Sequence, residues 1–88
     1  AVDEVCGIAR KVPGVLGCHS VRTRGPSSDI HIDLHIQVEP ELTVARGHAI
    51  AEEVERALCA GLPGVVDVIA HLEPLDDYQK RKTEEERK

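Results

Sequence analysis

The clearest pattern in the chain is a strict alternation of apolar and polar residues between positions 30 and 38. The apolar side chains occupy every second position: Ile30, Ile32, Leu34, Ile36 and Val38. Successive side chains of a strand point to opposite faces of a sheet, so this alternation predicts a strand with one buried and one polar face. The polar face would carry His31, Asp33, His35 and Gln37.

The segments around this strand have helical or strand periodicity as well. Residues 1–12 carry apolar side chains three and four positions apart, which predicts a helix that ends at Pro13 and Gly14. Residues 15–24 read as a strand, and the turn-forming residues 25–29 would join it to the next strand as a hairpin. Thr43 is a favourable N-cap for a helix from Val44 to about Cys59. Residues 65–73 predict a third strand, which Pro74 ends.

The resulting order α-β-β-α-β predicts an α+β two-layer sandwich, with two helices on one face of a three-stranded sheet. A length of 88 residues allows one small domain, which we assign to residues 1–75. Residues 76–88 are strongly charged, and we predict a flexible or frayed tail there. The first residue is Ala rather than Met, so we expect a domain of a longer protein.

Composition excludes several classes of function. The formal charge is −5 and there is a single aromatic residue, Tyr78, which argues against a nucleic-acid-binding protein. No stretch approaches the roughly 20 apolar residues of a membrane-spanning helix. There is no nucleophile elbow, zinc-protease motif or phosphate-binding loop, so we expect no enzyme.

The three cysteines, Cys6, Cys18 and Cys59, are odd in number and include no C-x-x-C pair. We therefore expect a reducing compartment without a disulfide framework, in which the cysteines are buried and behave as small apolar residues.

Histidines provide the candidate chemistry. If the third strand lies beside the second, His31, Asp33 and His35 share an open sheet face with Asp67, His71 and Glu73. Imidazole and carboxylate donors suit Zn(II), Mn(II), Fe(II) and similar divalent cations. Same-face residues of one strand lie roughly 6.5–7 Å apart, so we expect ligands from several elements or from two chains.

Two alternatives stay open at this point. The alternating polar residues could be only a solvated strand face, and His48 could be an ordinary surface residue of the second helix. His19 has the strand parity of Val15 and Val21, which places it on the core face unless a β-bulge turns it outward.

Four segments in order resemble the cytoplasmic C-terminal domain of cation diffusion facilitator transporters. They are PGVLGCHSVRTR from Pro13, DIHIDLHIQVEP from Asp29, GHAIAEEVERAL from Gly47 and VIAHLEP from Val68. The resemblance implies a metallochaperone-like αββαβ fold, which forms a V-shaped homodimer on the cytoplasmic side of a transmembrane domain. It also implies that divalent cations bind there, close the V and favour transport.

The resemblance implies two overlapping ligand sets. Zinc-transporting members place ligands at positions matching His19, His35, His48, His71 and Glu73. Magnetosome-associated members, which handle iron or manganese, use positions matching His31, Asp33, His48 and His71. The His31-Ile32-Asp33 run and the Gly47-His48 pair favour the magnetosome-like branch.

Three functions therefore compete. The first is a metal-sensing regulatory and dimerisation domain of a divalent-cation transporter, with Zn, Fe or Mn as the metal. The second is a purely structural dimerisation module, and the third is a soluble metallochaperone, which would normally show a C-x-x-C loop.

Overall fold

The computed structural model describes residues 2–75 and confirms the predicted order and type of all five elements. These are α1 (Val2–Arg10), β1 (Gly17–Arg24), β2 (Ile30–Val38), α2 (Val44–Gly61) and β3 (Val65–Pro74). The predicted tail lies outside the described residues. Within the described part, no helix is both long and apolar enough to cross a membrane.

The sheet has the order β1-β2-β3, with β2 antiparallel to β1 and parallel to β3. The parallel pairing requires a crossover, and α2 supplies it. Thr43 caps the start of this helix, because its hydroxyl accepts a hydrogen bond of 3.1 Å from the Arg46 amide. At the other end, α2 extends to Gly61, two residues beyond the end predicted at Cys59. The backbone N–H of Leu62 then donates a hydrogen bond to the carbonyl oxygen of Leu58.

The core lies between the sheet and the two helices. Its centre is the apolar face of β2, where Ile32, Leu34 and Ile36 are buried. Each helix buries one stripe in the same layer: Val5 and Ala9 from α1, and Ile50, Val54 and Leu58 from α2. The polar face of β2 is therefore left without a covering layer in the single chain.

A β-bulge in β1 settles the position of His19. The register with β2 shifts between His19 and Arg22, and Ser20 adopts a left-handed backbone conformation with φ of 54°. The extra residue lets Cys18 and Val21 both contact the core while His19 and Arg22 both face away from it. The alternative of a core histidine is thereby overturned.

The structure corrects the prediction for the cysteines. Cys6 of α1 and Cys18 of β1 are buried as expected, but they form a disulfide with a Cα–Cα distance of 5.5 Å. Sequence spacing could not show this pairing, because it arises where α1 packs on β1. Cys59 is a free thiol and is exposed rather than buried, since it lies on the outer side of α2.

Reduction of the Cys6–Cys18 disulfide should destabilise the domain. The bond closes a loop with a sequence separation of 12 residues, and loop-closure entropy gives a stabilisation of about 3 kcal/mol for a loop of that size. Urea denaturation with and without a thiol reductant measures the difference. Cys59→Ser is the matched control, because its unfolding should respond to the reductant as the unsubstituted chain does. Equal stability in both conditions would contradict the pairing.

Candidate metal centre

The open face of the sheet carries its side chains in rows, each with one residue from every strand. One row consists of His19, His35 and His71, which are directly paired across β1, β2 and β3. The adjacent row consists of Gly17, Gln37 and Glu73. Three imidazoles and one carboxylate therefore lie side by side at one end of the sheet.

Glu73 lies in the adjacent row and hydrogen-bonds to two of the histidines. One carboxylate oxygen accepts a hydrogen bond of 2.5 Å from His19 Nε2, and the other accepts one of 3.0 Å from His35 Nδ1. The ring of His71 stacks on that of His35, with 4.9 Å between centroids and an interplanar angle of 24°. The four side chains thus form one contiguous group, which we call the histidine cluster: His19, His35, His71 and Glu73.

The electrostatics of the cluster centre on the Glu73 carboxyl. Partial burial by itself raises the pKa of this group, because it penalises the charged form. Hydrogen bonds from His19 and His35, together with the positive charge of these rings when they are protonated, lower the pKa by more than burial raises it. The pKa of Glu73 therefore lies below its ordinary value of 4.5.

His31 and Asp33 lie further along the open face, outside the histidine cluster. His31 is opposite Asp67, with 3.6 Å between Nδ1 and the nearer carboxylate oxygen, and its Nε2 is 3.8 Å from Asp29. Asp33 is paired with Arg22 on one side and Ile69 on the other. The structure therefore places His31 and Asp33 outside the histidine cluster, whereas His71, which both ligand sets share, belongs to it.

His48 is not brought to the cluster by the single chain. Its side chain is 74% exposed on α2, and its Nε2 lies 3.0 Å from Glu52 one turn later. His48 and Glu73 border the same groove between α2 and β3, which has a volume of about 530 Å³. Of the seven predicted ligands, four are clustered, two lie further along the sheet and His48 lies on the helix.

Gln37 is a residue of this region that sequence reasoning counted only as part of the polar face. It is 4% exposed although it belongs to the open face. Its amide lies over Gly17, where a Cβ would collide with the amide oxygen. The sequence feature that could have indicated a buried Gln37 is the glycine directly opposite it, Gly17. This pairing can be recognised only once the strand register is known.

The cluster has suitable donors but is not arranged around a cation. Among residues 2–75, no group of three or more histidine, cysteine, aspartate or glutamate side chains has the geometry to hold a metal ion. Glu73 instead directs its two oxygens at different imidazoles. A cation would have to replace these hydrogen bonds, which requires side-chain rotation but no change of register.

Comparison with known proteins identifies the family. Residues 1–75 match the family described as the cytoplasmic domain of cation efflux proteins. The chain belongs to this family. As such it is a cytoplasmic domain of a cation diffusion facilitator, a family of cation transporters rather than enzymes.

Named relatives of this cation efflux domain include the cation-efflux pump FieF. The chain is 38% identical over 72 residues to FieF of Shigella flexneri serotype 5b, covering 82% of this chain and 24% of that protein. It is 34% identical over 80 residues to FieF of Yersinia pestis strain Pestoides F, covering 91% and 26%. The chain thus spans about a quarter of the length of these relatives.

Solved structures support the fold of the cation efflux domain. A variant of the MamM C-terminal domain superposes with a TM-score of 0.78 at 32% identity, covering 84% of this chain and 92% of that one. Another MamM variant, described as a nickel form, gives 0.78 at 31% identity, covering 84% and 94%.

Replacement of Glu73 should change how stability depends on pH. Because the folded-state pKa of Glu73 is lowered, its interactions stabilise the domain fully above pH 4.5 and are lost as the pH falls through the folded-state pKa. Glu73→Gln should therefore lose more stability at pH 7 than at pH 3. Urea denaturation at both pH values measures this, with exposed Glu53→Gln as the control. Equal losses at both pH values would refute the assignment.

Proposed function

We propose that this domain is the divalent-metal-binding regulatory and dimerisation domain of a cation diffusion facilitator transporter. In this proposal, a cation held between two protomers favours a closed dimer and thereby transport by the membrane part. The observation that carries the proposal is the grouping of three histidines from three strands around one carboxylate: His19 and His35 hydrogen-bond to Glu73, and His71 stacks on His35.

The donor set fits a divalent cation. Neutral imidazole nitrogens and a carboxylate are borderline-to-hard ligands, which suits Zn(II), Fe(II) and Mn(II). The partial burial of His19 and Glu73, whose side chains are 12% and 20% exposed, would limit competition from water. Family membership supports the same function, and the nickel form of a MamM variant is a related domain described with a divalent metal.

We assign His48 to a site completed by a second protomer. Its side chain projects from α2 into solvent, so another molecule can approach it. The histidine cluster is likewise open on the side away from the core. Two protomers facing each other could therefore combine the cluster of one with His48 of its partner, which accounts for the absence of a complete shell within residues 2–75.

The regulatory effect would follow from a difference in affinity between two dimer states. A cation shifts the equilibrium only as far as its affinity for the closed state exceeds that for the open state. The open face of one protomer carries Asp33, Asp67 and Glu73 against Arg22 and Arg24, so its charges nearly balance. The cation would therefore favour the closed dimer mainly by binding to ligands of both protomers, rather than by neutralising a strongly acidic cleft.

A structural dimerisation module is the second candidate, and one observation favours it. Ile69 is 44% exposed on the open face, next to the histidine row, and Leu16 is 47% exposed before β1. A partner that covered these apolar side chains would stabilise the dimer without metal. Metal titration distinguishes the two candidates.

Calorimetric titration with Zn(II) and Mn(II) tests metal binding. We expect binding near pH 7 that weakens as the pH falls through about 6.5, because protons compete for the imidazoles. His71→Ala should weaken it at least tenfold, the usual effect of losing a coordinating group or its support, with little loss of stability because His71 is exposed. His31→Ala is the comparison variant, and we expect it to bind as the unsubstituted chain does. Absence of binding at every pH would leave the structural module.

Mixing two variants tests whether the site spans two protomers. His48→Ala and His35→Ala should each bind Zn(II) weakly as homodimers. In a mixed dimer, however, the intact cluster of one protomer meets the intact His48 of its partner, which restores one of two sites. With random exchange of subunits, half of the dimers in an equimolar mixture are mixed, so titration should recover tight binding at about one quarter of the stoichiometry of the unsubstituted dimer. No recovery would contradict the shared site.

A further inference from the structure

We propose that Ser20 is a positioning residue that hydrogen-bonds to Nδ1 of His19 in either proton arrangement of the ring, and so holds His19 in place to bind a cation through Nε2. The inference rests on the proposed function. It starts from one contact: the Ser20 hydroxyl lies 2.8 Å from Nδ1 of His19, while Nε2 of the same ring faces Glu73. His19 is thus held by a different partner at each ring nitrogen.

The proton arrangement in the metal-free protein follows from what each partner can do. An ionised carboxylate only accepts hydrogen bonds, so Nε2 of His19 must carry the proton that it donates to Glu73. In a neutral ring Nδ1 is then an acceptor, and the Ser20 hydroxyl donates to it. Both ring nitrogens are satisfied by this single tautomer.

Binding of a cation at Nε2 reverses the arrangement. The coordinating nitrogen must be unprotonated, so the neutral ring keeps its one proton on Nδ1. Nδ1 then donates to the Ser20 oxygen, because a hydroxyl can rotate from donor to acceptor. Ser20 therefore supports the ring in both states, whereas a carboxylate or a lysine at this position would support only one. Ligating histidines generally need such a partner on the second nitrogen.

The bulge explains why a serine can do this. An ordinary strand would direct neighbouring residues to opposite faces, which would separate Ser20 from the His19 ring. Ser20 instead has φ of 54°, and this left-handed conformation leaves its hydroxyl beside the ring of the preceding residue. The same residue therefore turns His19 to the open face and bonds to its second nitrogen.

The test separates the backbone role of Ser20 from its hydroxyl role. Ser20→Gly keeps the left-handed conformation without strain but removes the hydroxyl. Ser20→Asn is the rescue variant, because asparagine tolerates this conformation and has both a donor and an acceptor. Ser28→Gly, at an exposed serine in the β1–β2 turn, is the matched control.

The first readout requires no metal. Nitrogen-15 NMR of the His19 ring in the metal-free chain near pH 8, where free histidine is neutral, reports both the tautomer and the hydrogen bonding of Nδ1. We expect the Nε2-protonated form alone in the unsubstituted chain, in Ser20→Asn and in Ser28→Gly. Ser20→Gly should keep the same form, because Glu73 still accepts from Nε2, but its Nδ1 resonance should shift, since that nitrogen has lost its hydrogen-bond donor. An unchanged Nδ1 resonance in Ser20→Gly would overturn the inference, whether or not the domain binds metal.

The second readout is Zn(II) affinity by calorimetry, with the His19 Nδ1 proton followed by NMR in the loaded protein. Ser20→Gly should bind about tenfold more weakly, and its Nδ1 proton should exchange faster with water. Ser20→Asn should restore both. Equal affinity in Ser20→Gly and the unsubstituted chain would overturn the inference. If the unsubstituted chain fails to bind Zn(II), the proposed function fails, and the Nδ1 resonance alone decides the role of Ser20.

Discussion

Burial of the apolar face of β2 is the constraint on which the rest of the structure depends. β2 is the central strand, so both neighbouring strands must align their own apolar residues with Leu34 and Ile36 to share the core. A shift of one residue would exchange the two faces of a strand, and the loss of buried apolar area forbids it. The polar residues of all three strands are thereby placed on the opposite face in fixed rows.

The bulge at Ser20 reconciles this constraint with the sequence of β1. A regular strand that buried Cys18 would send Val21 outward, because the two residues have opposite parity. One extra residue lets both contact the core, at the cost of a left-handed conformation in a residue other than glycine, roughly 1–3 kcal/mol. The apolar contacts of Val21 and the disulfide of Cys18 to α1 offset that cost. His19 reaches the histidine cluster as a consequence.

Competition between burial and hydrogen bonding defines the chemistry of the cluster. Partial burial disfavours the charge on Glu73, but two imidazoles compensate for the lost water and keep the carboxylate ionised. The same bonds hold His19 and His35 near one another. Further along the sheet, His31 has only longer contacts to exposed aspartates, so its surroundings hold the ring less firmly.

The sequence by itself determined the five elements, because apolar periodicity, prolines, glycines and the Thr43 cap act locally and each is legible within a few residues. It also determined that histidines and carboxylates of β2 and β3 share a polar face, since strand parity is a local property. Tertiary structure decided which of them meet. The bulge, the pairing of β3 with β2 and the contact between Cys6 and Cys18 depend on packing between segments distant in sequence. The histidine cluster, the separation of His31 and the exposed position of His48 follow from those long-range contacts, which no local pattern encodes.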